Sequence, residues 1–340
     1  MNIQEKIKLK EYSSMKIGGQ VNFFGEVQNK SDLKEISSFA KKQNLTVFPL
    51  GSGTNTIFSD KNHSWVLALI KIPGIVRLYE NESFVNVLVG AGENWDDFVK
   101  WSVKNKLSGI EALSGIPGTV GAGPIQNIGA YGQEIANNLI WLEVFDPTDE
   151  KFYEISNEQC EFSYRDSIFK KNLGKFIITQ VAFQLYKKEP SIPQYRDVQL
   201  YFLEKKQKEA NVEEIRNAIL EIRNRKLPDP QIIPNCGSFF KNPVISQEDL
   251  ETLEKKYLEI PHFKVGENQI KVYAGWLIEQ ANYKNKEIGP IKIYKNNALV
   301  ITNPDKKANF SDLEAAFSEI QKKIFDKFNI KLEIEPNIIN

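Results

Sequence analysis

Hydrophobic and polar positions follow two different spacings in the first half of the chain, and together these predict strands interleaved with short helices. Apolar, β-branched and aromatic runs bounded by turn residues predict strands over 21–27, 45–50, 65–70, 84–89, 139–145 and 176–186. Elsewhere the apolar residues recur at helical spacing. Ser31 is predicted to cap a helix that ends near Gln43, and Asn94 to begin another.

The second half is predicted to be more helical. A charged, proline-bearing stretch at 187–199, KKEPSIPQYRDVQ, predicts a domain boundary or an inserted loop. Asn211 with Glu214, and Ser311 with Glu314, have the spacing of a capping box at a helix start. Further helices are predicted from Ser246 and over 274–282.

The residues near the C-terminus, IKLEIE at 330–335, alternate between apolar and charged. This pattern predicts a strand with Ile330, Leu332 and Ile334 on one face and Lys331, Glu333 and Glu335 on the other. A length of 340 residues favours two or three domains over one core. The predicted fold class is α+β, built in two lobes.

The composition limits which classes of binding partner are expected. The 44 basic residues balance the 44 acidic ones, which gives no electrostatic reason to expect nucleic acid or an anionic membrane surface as partner. No apolar run approaches the roughly 18 residues that a membrane-spanning helix needs. The N-terminal residues, MNIQEKIKLKEYSS, lack the apolar core of a signal peptide. A cytoplasmic protein is therefore expected.

Cysteine and histidine are both scarce. Cys160 and Cys236 are far apart in the chain, so neither a metal site nor a disulfide framework is expected. His63 and His262 have no neighbours that suggest a catalytic triad or a metal site, and both are predicted to lie in surface loops. Chemistry without a histidine acid–base favours an enzyme whose organic cofactor performs the difficult step.

The most distinctive segment is the uncharged run IPGTVGAGPIQNIGAYG at 116–132, which contains five glycines. Glycines let another body approach the main chain closely, and a polyphosphorylated cofactor would then accept hydrogen bonds from the backbone N–H groups. A buried turn between two sheets is the alternative. Two more glycine-rich turns occur at 51–55 and 90–95. Strand-like residues rather than a helix follow the 51–55 turn, which argues against a Rossmann fold or a P-loop.

Eight segments together carry a resemblance to a known family. They are PLGSGTN (49–55), VGAGENW (89–95), GIPGTVGAGPIQNIGAYG (115–132), FSYRDSIFK (162–170), KLPDP (226–230), NCGSFFKNP (235–243), AGWLIEQ (274–280) and LEIE (332–335). In these segments, and in their order over nearly the whole chain, the sequence closely resembles the UDP-N-acetylenolpyruvoylglucosamine reductases, the MurB family. SYRDSIF and GSFFKNP are the most specific of the matches.

The resemblance implies a two-lobed FAD-binding domain of the vanillyl-alcohol-oxidase type and a separate α+β substrate-binding domain. The implied division places the first FAD-binding lobe at 1–64 with 330–340. The second lobe, at 65–205, includes a substrate loop at 187–199. The substrate-binding domain is placed at 206–329. The loop corresponds to the family branch that has an additional substrate-closing tyrosine.

The family reaction implies FAD as cofactor and NADPH as co-substrate, acting on UDP-N-acetylglucosamine-enolpyruvate. Non-covalent FAD is expected because the glycine-rich loops contain no histidine. The residues implied to bind FAD are Gly51, Ser52, Gly53, Thr54, Asn55, Ile116, Pro117, Gly118, Gly121, Ala122, Gly123, Ile128 and Gly129.

Three catalytic residues are implied by the same alignment. Ser238 matches the proton donor; a small residue that permits a turn is the alternative. Arg165 matches the arginine that polarises the substrate carboxylate; an exposed pair with Asp166 is the alternative. Glu335 matches a glutamate that assists proton delivery or orients the charged intermediate.

The match at the glutamate is incomplete. Pro336 follows Glu335 where the family commonly has valine, and Glu333 competes for the same assignment from the same expected strand face. Four further residues match positions that hold the nucleotide sugar: Tyr195, Lys226, Asn242 and Asn297. At the last of these the family often has glutamine.

Two other functions compete with the reductase. One is a different flavin oxidoreductase on the same scaffold, and the other is a nucleotide-sugar binding module without flavin chemistry. No metal is expected. A monomer that binds its substrate and NADPH, with no nucleic acid or membrane partner, is the expected form.

Overall fold

The computed structural model describes all residues, 1–340. They form two compact units. Unit 1 comprises Met1–Ile7, Val21–Ser52 and Asn62–Asn224, and unit 2 comprises Lys8–Gln20, Gly53–Lys61 and Arg225–Asn340. Residues 206–224 thus group with unit 1, and 330–340 with unit 2. The division into two FAD-binding lobes and a substrate domain stays a prediction.

Five α-helices begin in unit 1 and three begin in unit 2. They are α1 Lys30–Lys42, α2 Trp95–Lys104, α3 Ile168–Lys171, α4 Arg196–Glu204, α5 Val212–Lys226, α6 Gln247–Glu254, α7 Ala274–Gln280 and α8 Phe310–Phe328. No helix combines the length and the apolar composition that crossing a bilayer would require.

The strands are mostly short. In chain order they are β1 Gln4–Lys8, β2 Gln20–Val27, β3 Val47–Leu50, β4 Thr56–Phe58, β5 Asn62–Ile70, β6 Ile75–Glu80, β7 Phe84–Gly90, β8 Gly129–Ala130, β9 Gln133–Glu134, β10 Leu139–Asp146, β11 Lys151–Ser156, β12 Ile177–Tyr186, β13 Asn235–Ser238, β14 Val244–Ile245, β15 His262–Gly266, β16 Gln269–Val272, β17 Glu287–Ile288, β18 Ile291–Ile293, β19 Val300–Thr302 and β20 Asn337–Ile339. The predicted strands of the first half are all present, with ends shifted by up to three residues.

Unit 1 contains a five-stranded antiparallel sheet in the order β11-β10-β12-β7-β6. A four-stranded sheet in the order β1-β2-β5-β3 has β3 parallel to β5. The apolar faces of α1 and α2 are buried in one core with these sheets, as their helical periodicity predicts. In α2, Trp95 and Phe98 are fully buried and their ring centroids lie 5.9 Å apart.

Unit 2 has its own core, gathered around α8. Leu313, Phe317, Ile320, Ile324 and Phe328 all face inward there, as the sequence predicts. The sheets of this unit have the orders β13-β19-β18-β17 and β14-β16-β15, and β20 pairs in parallel with β4. Because both units bury separate sets of apolar residues, each has the properties of a domain.

Two predicted helix starts are wrong. The side chain of Asn29, not of Ser31, caps α1, and it accepts hydrogen bonds from the backbone of Ser31 and Asp32. At α8 the capping box is formed by Asn309 with Asp312, two residues before the predicted pair. Asparagine accepts at a helix start as well as serine does, so the spacing alone did not select between them. The capping interactions of Asn94, Asn211 and Ser246 are confirmed.

The predicted strand over 330–335 is not regular. A single bridge joins Ile334 to Phe240, and the C-terminal strand is β20, three residues later. Backbone hydrogen bonds from Lys241 to Glu333 and from Glu335 to Phe239 flank this bridge. The Glu333 side chain is 74% exposed whereas Glu335 is 8% exposed, so these two positions of the alternating run have different surroundings.

The two histidines differ in burial. His63 lies in β5 and is buried, with its ring centroid 5.1 Å from that of Trp65, so its prediction as a surface loop residue is wrong. His262 is exposed as predicted but begins β15 instead of lying in a loop. Its Nδ1 is 2.8 Å from the carbonyl oxygen of Ile260.

Candidate active site

The glycine-rich turns predicted from the sequence meet one another in unit 1. A Cβ atom added to Gly51 would stand 2.5 Å from Oγ1 of Thr119 and 3.2 Å from Cβ of Ala122. The turn after β3 therefore packs directly on the glycine-rich segment. Only a residue without a side chain permits this distance, which is why a glycine is required at position 51.

The third turn packs on the same segment. A Cβ atom on Gly121 would lie 2.5 Å from Cβ of Ala91, and the N–H of Gly121 donates to the Ala91 carbonyl over 2.9 Å. The N–H of Val120 donates to the carbonyl of Glu93, also over 2.9 Å. Three separate stretches of main chain are thus brought together with few side chains between them.

The remaining residues implied to bind FAD divide between the units. Residues 116–129 of the segment lie in unit 1, where Gly118 has φ +145° and Gly123 and Ile128 are buried. Gly53, Thr54 and Asn55 lie in unit 2. Gly53 has φ +65° and approaches the Tyr12 carbonyl so closely that no side chain fits.

The chemistry of these stretches fits FAD. A diphosphate needs donors without a competing carboxylate, and the run at 116–132 offers backbone and carries no charged side chain. The nearest carboxylate on the adjoining turn, that of Glu93, is engaged by the N–H of Gly74 over 2.6 Å. Gly51, Ser52 and the residues 116–129 would hold the cofactor in unit 1.

Arg165 is held against the glycine-rich segment. It lies at the tip of a turn closed by a bridge between Ser163 and Asp166, and it has φ +56°. Its Nη2 donates to the Gly129 carbonyl over 2.5 Å. The Asn127 side chain donates to the Ser163 carbonyl over 3.1 Å and so ties the turn to the same segment. The guanidinium of Arg165 is thereby placed beside residues implied to bind FAD.

Ser238 ends β13 in unit 2, directly after a glycine in the left-handed region. Gly237 has φ +75°, and its N–H donates to Oδ1 of Asn235 over 2.9 Å. The pairing of β13 with β19 is irregular between Asn235 and Ser238. Ser238 itself is half-buried and lies opposite Val300.

Glu335 is adjacent to Ser238 through the backbone. Its N–H donates to the Phe239 carbonyl over 2.9 Å. Burial raises the pKa of the Cys236 thiol to about 12, and the nearby Glu335 carboxylate contributes to that rise. The Glu333 side chain instead pairs with Lys241 over 3.1 Å, largely in solvent. Of the two glutamates, Glu335 is therefore the buried one, and its backbone is bonded to the residue that follows Ser238.

The four residues implied to hold the nucleotide sugar have different surroundings. Tyr195 immediately precedes α4, and its ring stands edge-on to that of Tyr131 at a centroid distance of 5.2 Å. Lys226 is exposed at the end of α5. Oδ1 of Asn242 accepts from the N–H of Ala274, the first residue of α7, over 3.0 Å. Oδ1 of Asn297 accepts from the N–H of Leu299.

One group of polar residues was missed by the sequence analysis. Asp96, Tyr131, Arg216 and Arg223 contact each other or Gly115 in unit 1. The signal was present in α5, where the two arginines lie seven residues apart and thus on one face of the helix. Nothing in the sequence indicated what that face would meet.

The two cysteines are free thiols. Both are buried, and burial raises the pKa of each thiol to about 12. The thiolate attacks the disulfide bond of the reagent and releases a reagent thiolate, and about one part in ten thousand of each buried thiol is ionised at pH 8. We expect no labelling of the native protein by Ellman's reagent at pH 8 and two thiols per chain in guanidinium chloride. Rapid labelling before unfolding would contradict the buried placement.

Comparison with known families gives the class of this protein. The FAD binding domain family matches residues 22–155, and the C-terminal domain of UDP-N-acetylenolpyruvoylglucosamine reductase matches residues 229–339. With the glycine-lined surface, these matches define a FAD-dependent oxidoreductase. The predicted fold class, an α+β chain with a FAD-binding domain and a separate second domain, is confirmed.

Relatives along the full length identify the family. The UDP-N-acetylenolpyruvoylglucosamine reductase of Flavobacterium johnsoniae is 37% identical over 100% of both chains. That of Polynucleobacter asymbioticus is 39% identical over 92% of this chain and 90% of its own. The crystal structure of the Thermus caldophilus enzyme covers 100% of both chains with a TM-score of 0.67 at 24% identity. The chain belongs to the UDP-N-acetylenolpyruvoylglucosamine reductase family.

The activity follows from family membership. The protein catalyses the NADPH-dependent reduction of the enolpyruvyl group of UDP-N-acetylglucosamine-enolpyruvate to give UDP-N-acetylmuramate, a step of peptidoglycan precursor synthesis. FAD supplies the redox chemistry: when bound, it accepts hydride from NADPH and delivers it to the substrate double bond. What remains for the side chains is to bind, to orient, to stabilise charge and to provide a proton.

Proposed function

We propose that Ser238, Arg165 and Glu335 together supply the proton and stabilise the negative charge that this reduction requires. Hydride addition β to a carboxylate leaves negative charge as an enolate, so an acid has to protonate the α-carbon. The observation that carries the proposal is the hydrogen bond from the Glu335 N–H to the Phe239 carbonyl, which fixes the backbone of a buried glutamate beside the residue that follows Ser238. A donor and a charged neighbour then lie on adjacent stretches of unit 2.

In this proposal Ser238 donates the proton. A serine hydroxyl is a weak acid and transfers its proton efficiently only when it is fixed in place and its conjugate base is stabilised. The strand end at Gly237 and the half-buried environment of Ser238 support the first requirement. Glu335 assists delivery of the proton or orients the charged intermediate.

Arg165 binds the substrate carboxylate and stabilises the enolate. A planar guanidinium fork matches a carboxylate, and electrostatic stabilisation of developing charge is usually the largest catalytic contribution. The hydrogen bond from Arg165 to the Gly129 carbonyl supports this role, because it fixes the side chain before substrate arrives. A preorganised cation costs no reorganisation during the reaction.

The neighbouring glutamates provide a matched pair for a test of the carboxylate. We expect Glu335→Gln to slow reduction of the enolpyruvyl substrate by about 10- to 100-fold, since the amide keeps the shape but loses the charge. Glu333→Gln removes a carboxylate that is 74% exposed and should stay within about twofold of the parent protein. Single-turnover rates for both variants measure this. Equal effects, or a larger one at Glu333, would reassign the role.

The substrate and cofactor are assigned to the residues that the sequence indicated. FAD binds without a covalent link at Gly51–Asn55 and at 116–129. Tyr195, Lys226, Asn242 and Asn297 contact the UDP-sugar, with the lysine ammonium opposite the diphosphate. The exposure of Lys226 at the end of α5 supports a role toward a soluble anionic ligand.

The setting of the activity is also part of the proposal. The protein acts as a cytoplasmic monomer, with neither nucleic acid nor membrane as partner. As a supplier of cell-wall precursor it contributes to cell shape and cell division.

An anaerobic experiment in two steps tests the function. The purified protein should be yellow and release FAD on acidification. NADPH should bleach the flavin band near 450 nm, and UDP-N-acetylglucosamine-enolpyruvate should then restore it. Flavin that NADPH reduces but the sugar nucleotide does not reoxidise would point to a different oxidoreductase. Colourless protein that cannot be reconstituted with FAD would point to a binding module.

A further inference from the structure

A polar cluster in unit 1, made of Asp96, Gly115, Arg216, Arg223 and Tyr131, takes no part in the roles proposed above. Arg216 is buried and the other four residues are half-buried. Its centre is the Asp96 carboxylate. Oδ1 and Oδ2 of Asp96 accept from Nη1 and Nη2 of Arg216, each over 2.7 Å. Oδ1 also accepts from the N–H of Gly115 over 2.6 Å. Asp96 thus joins α2, α5 and the first residue of the glycine-rich segment.

One face of α5 meets the near end of that segment. Arg216, Leu220 and Arg223 are spaced by four and three residues, which aligns them along a single stripe of the helix. Gly115 has φ +71°, and a Cβ atom there would stand 2.9 Å from Leu220 Cδ2 and 3.1 Å from Arg223 Nε. The stripe therefore packs on the backbone of Gly115 itself.

The same stripe of α5 also contacts Tyr131, near the C-terminal end of the segment. The Arg223 guanidinium is close enough to the Tyr131 phenol to influence its pKa, and Tyr131 packs on the apolar cluster that includes Ile219 and Ile222 of α5. Both Tyr131 and Arg223 are half-buried; burial raises the pKa of the Tyr131 phenol and lowers that of the Arg223 guanidinium. Helix α5 is in contact with both Gly115 and Tyr131, and the residues between them are those assigned to FAD.

We infer that Asp96 and Arg216 are positioning residues for FAD binding: their bidentate ion pair holds the stripe of α5 against both ends of the segment 115–131 and so fixes the shape of the backbone that receives the cofactor. Neither residue needs to touch FAD for this. The inference rests on FAD binding by unit 1 and is independent of the roles given to Ser238, Arg165 and Glu335.

The geometry of the pair distinguishes it from the surface ion pairs of this chain. The Arg216 side chain is 10% exposed and that of Asp96 is 32% exposed, and the two form a fork-on-carboxylate contact. Arg77 and Glu80, also in unit 1, are 44% and 41% exposed, and pairs of that kind contribute little. An enclosed, two-point contact restricts the angle of α5 in a way that a flexible surface pair does not.

The test measures FAD affinity of the apoprotein directly. Full-length protein is stripped of flavin and titrated with FAD at 15 °C, where far-UV circular dichroism confirms that each variant is folded, and binding is followed by quenching of flavin fluorescence. The variants are Asp96→Asn, Arg216→Gln, the double variant and the milder Arg216→Lys. Arg77→Gln and Glu80→Gln serve as matched controls in the same unit.

We expect the dissociation constant for FAD to rise about tenfold in each single variant, within the usual range for coupling between sites. The double variant should lose no more than either single variant, because both remove the same contact. Arg216→Lys should lose less, since it keeps the charge without the fork. The controls should stay within twofold.

Two results would overturn the inference. In one, folded Asp96→Asn binds FAD within twofold of the parent, which means that the pair only stabilises the fold. In the other, the two single losses multiply in the double variant, which means that the residues act separately. If Asp96→Asn does not fold, Arg216→Lys decides: unchanged affinity in that variant contradicts the positioning role, and a rise of severalfold supports it.

Discussion

Replacing Ser238 with alanine is expected to leave reduction of the flavin by NADPH unchanged and to slow reduction of the enolpyruvyl substrate by about 10²-fold or more. The hydride transfer from NADPH involves no proton from Ser238, whereas the second half-reaction ends in protonation of carbon. The loss is therefore confined to one half-reaction. Anaerobic stopped-flow absorbance of the flavin, recorded separately for the two halves, measures it.

A control substitution at another serine tests whether the loss of rate is specific to position 238. Ser318 is exposed on α8 in the same unit, and Ser318→Ala should leave both half-reactions unchanged. Serine-to-alanine exchange there also favours the helix slightly. If Ser238→Ala slows both half-reactions equally, the residue shapes the strand end after Gly237 and does not donate the proton.

Replacing Arg165 with methionine is expected to slow the same half-reaction by about 10²- to 10³-fold, comparable to the loss of a donor that stabilises an oxyanion. Methionine keeps most of the length of the side chain but removes the guanidinium that is proposed to stabilise the developing charge. Arg165→Lys restores the charge without the fork, so its rate should fall between those of the parent and the methionine variant. Single-turnover measurements with reduced enzyme check both variants.

Arg165 also contacts the main chain, and the test has to separate that contact from catalysis. The hydrogen bond to the Gly129 carbonyl is lost in the methionine variant. An FAD titration of the apoprotein should show affinity within about threefold of the parent if Arg165 serves the substrate. A large loss of FAD affinity with an unchanged second half-reaction would instead make Arg165 part of the cofactor site. Arg77→Met, on the exposed strand β6, is the matched control.

Much of the local structure could be predicted because it depends on neighbouring residues. The inward residues of α8 and the capping residues Asn94, Asn211 and Ser246 follow from periodicity and side-chain chemistry within a few positions. The errors at Ser31 and Ser311 have the same origin. An asparagine two residues earlier starts each helix there by accepting from backbone N–H groups of its first turn, and the sequence gives no means to rank the two caps.

His63 and Glu335 show where local patterns fail. His63 is flanked by polar residues, yet β5 is inserted into a sheet and Trp65 packs beside the ring. Glu335 lies in an alternating run, but its burial depends on Phe239, nearly a hundred residues earlier in the chain. Burial of these residues depends on contacts across the fold, so no window of sequence contains the information.

The sequence by itself determined the family, the reaction and the residues implied to perform it, because eight motifs in fixed order specify that chemistry. It also determined that the three glycine-rich turns are unusual, but not that they meet. The tertiary structure decided that Gly51 and Gly121 pack on other main chain, that Glu335 is enclosed while Glu333 is not, and that Asp96 joins Arg216 to Gly115. These facts arise from contacts between distant segments, whose partners are chosen only when the chain packs.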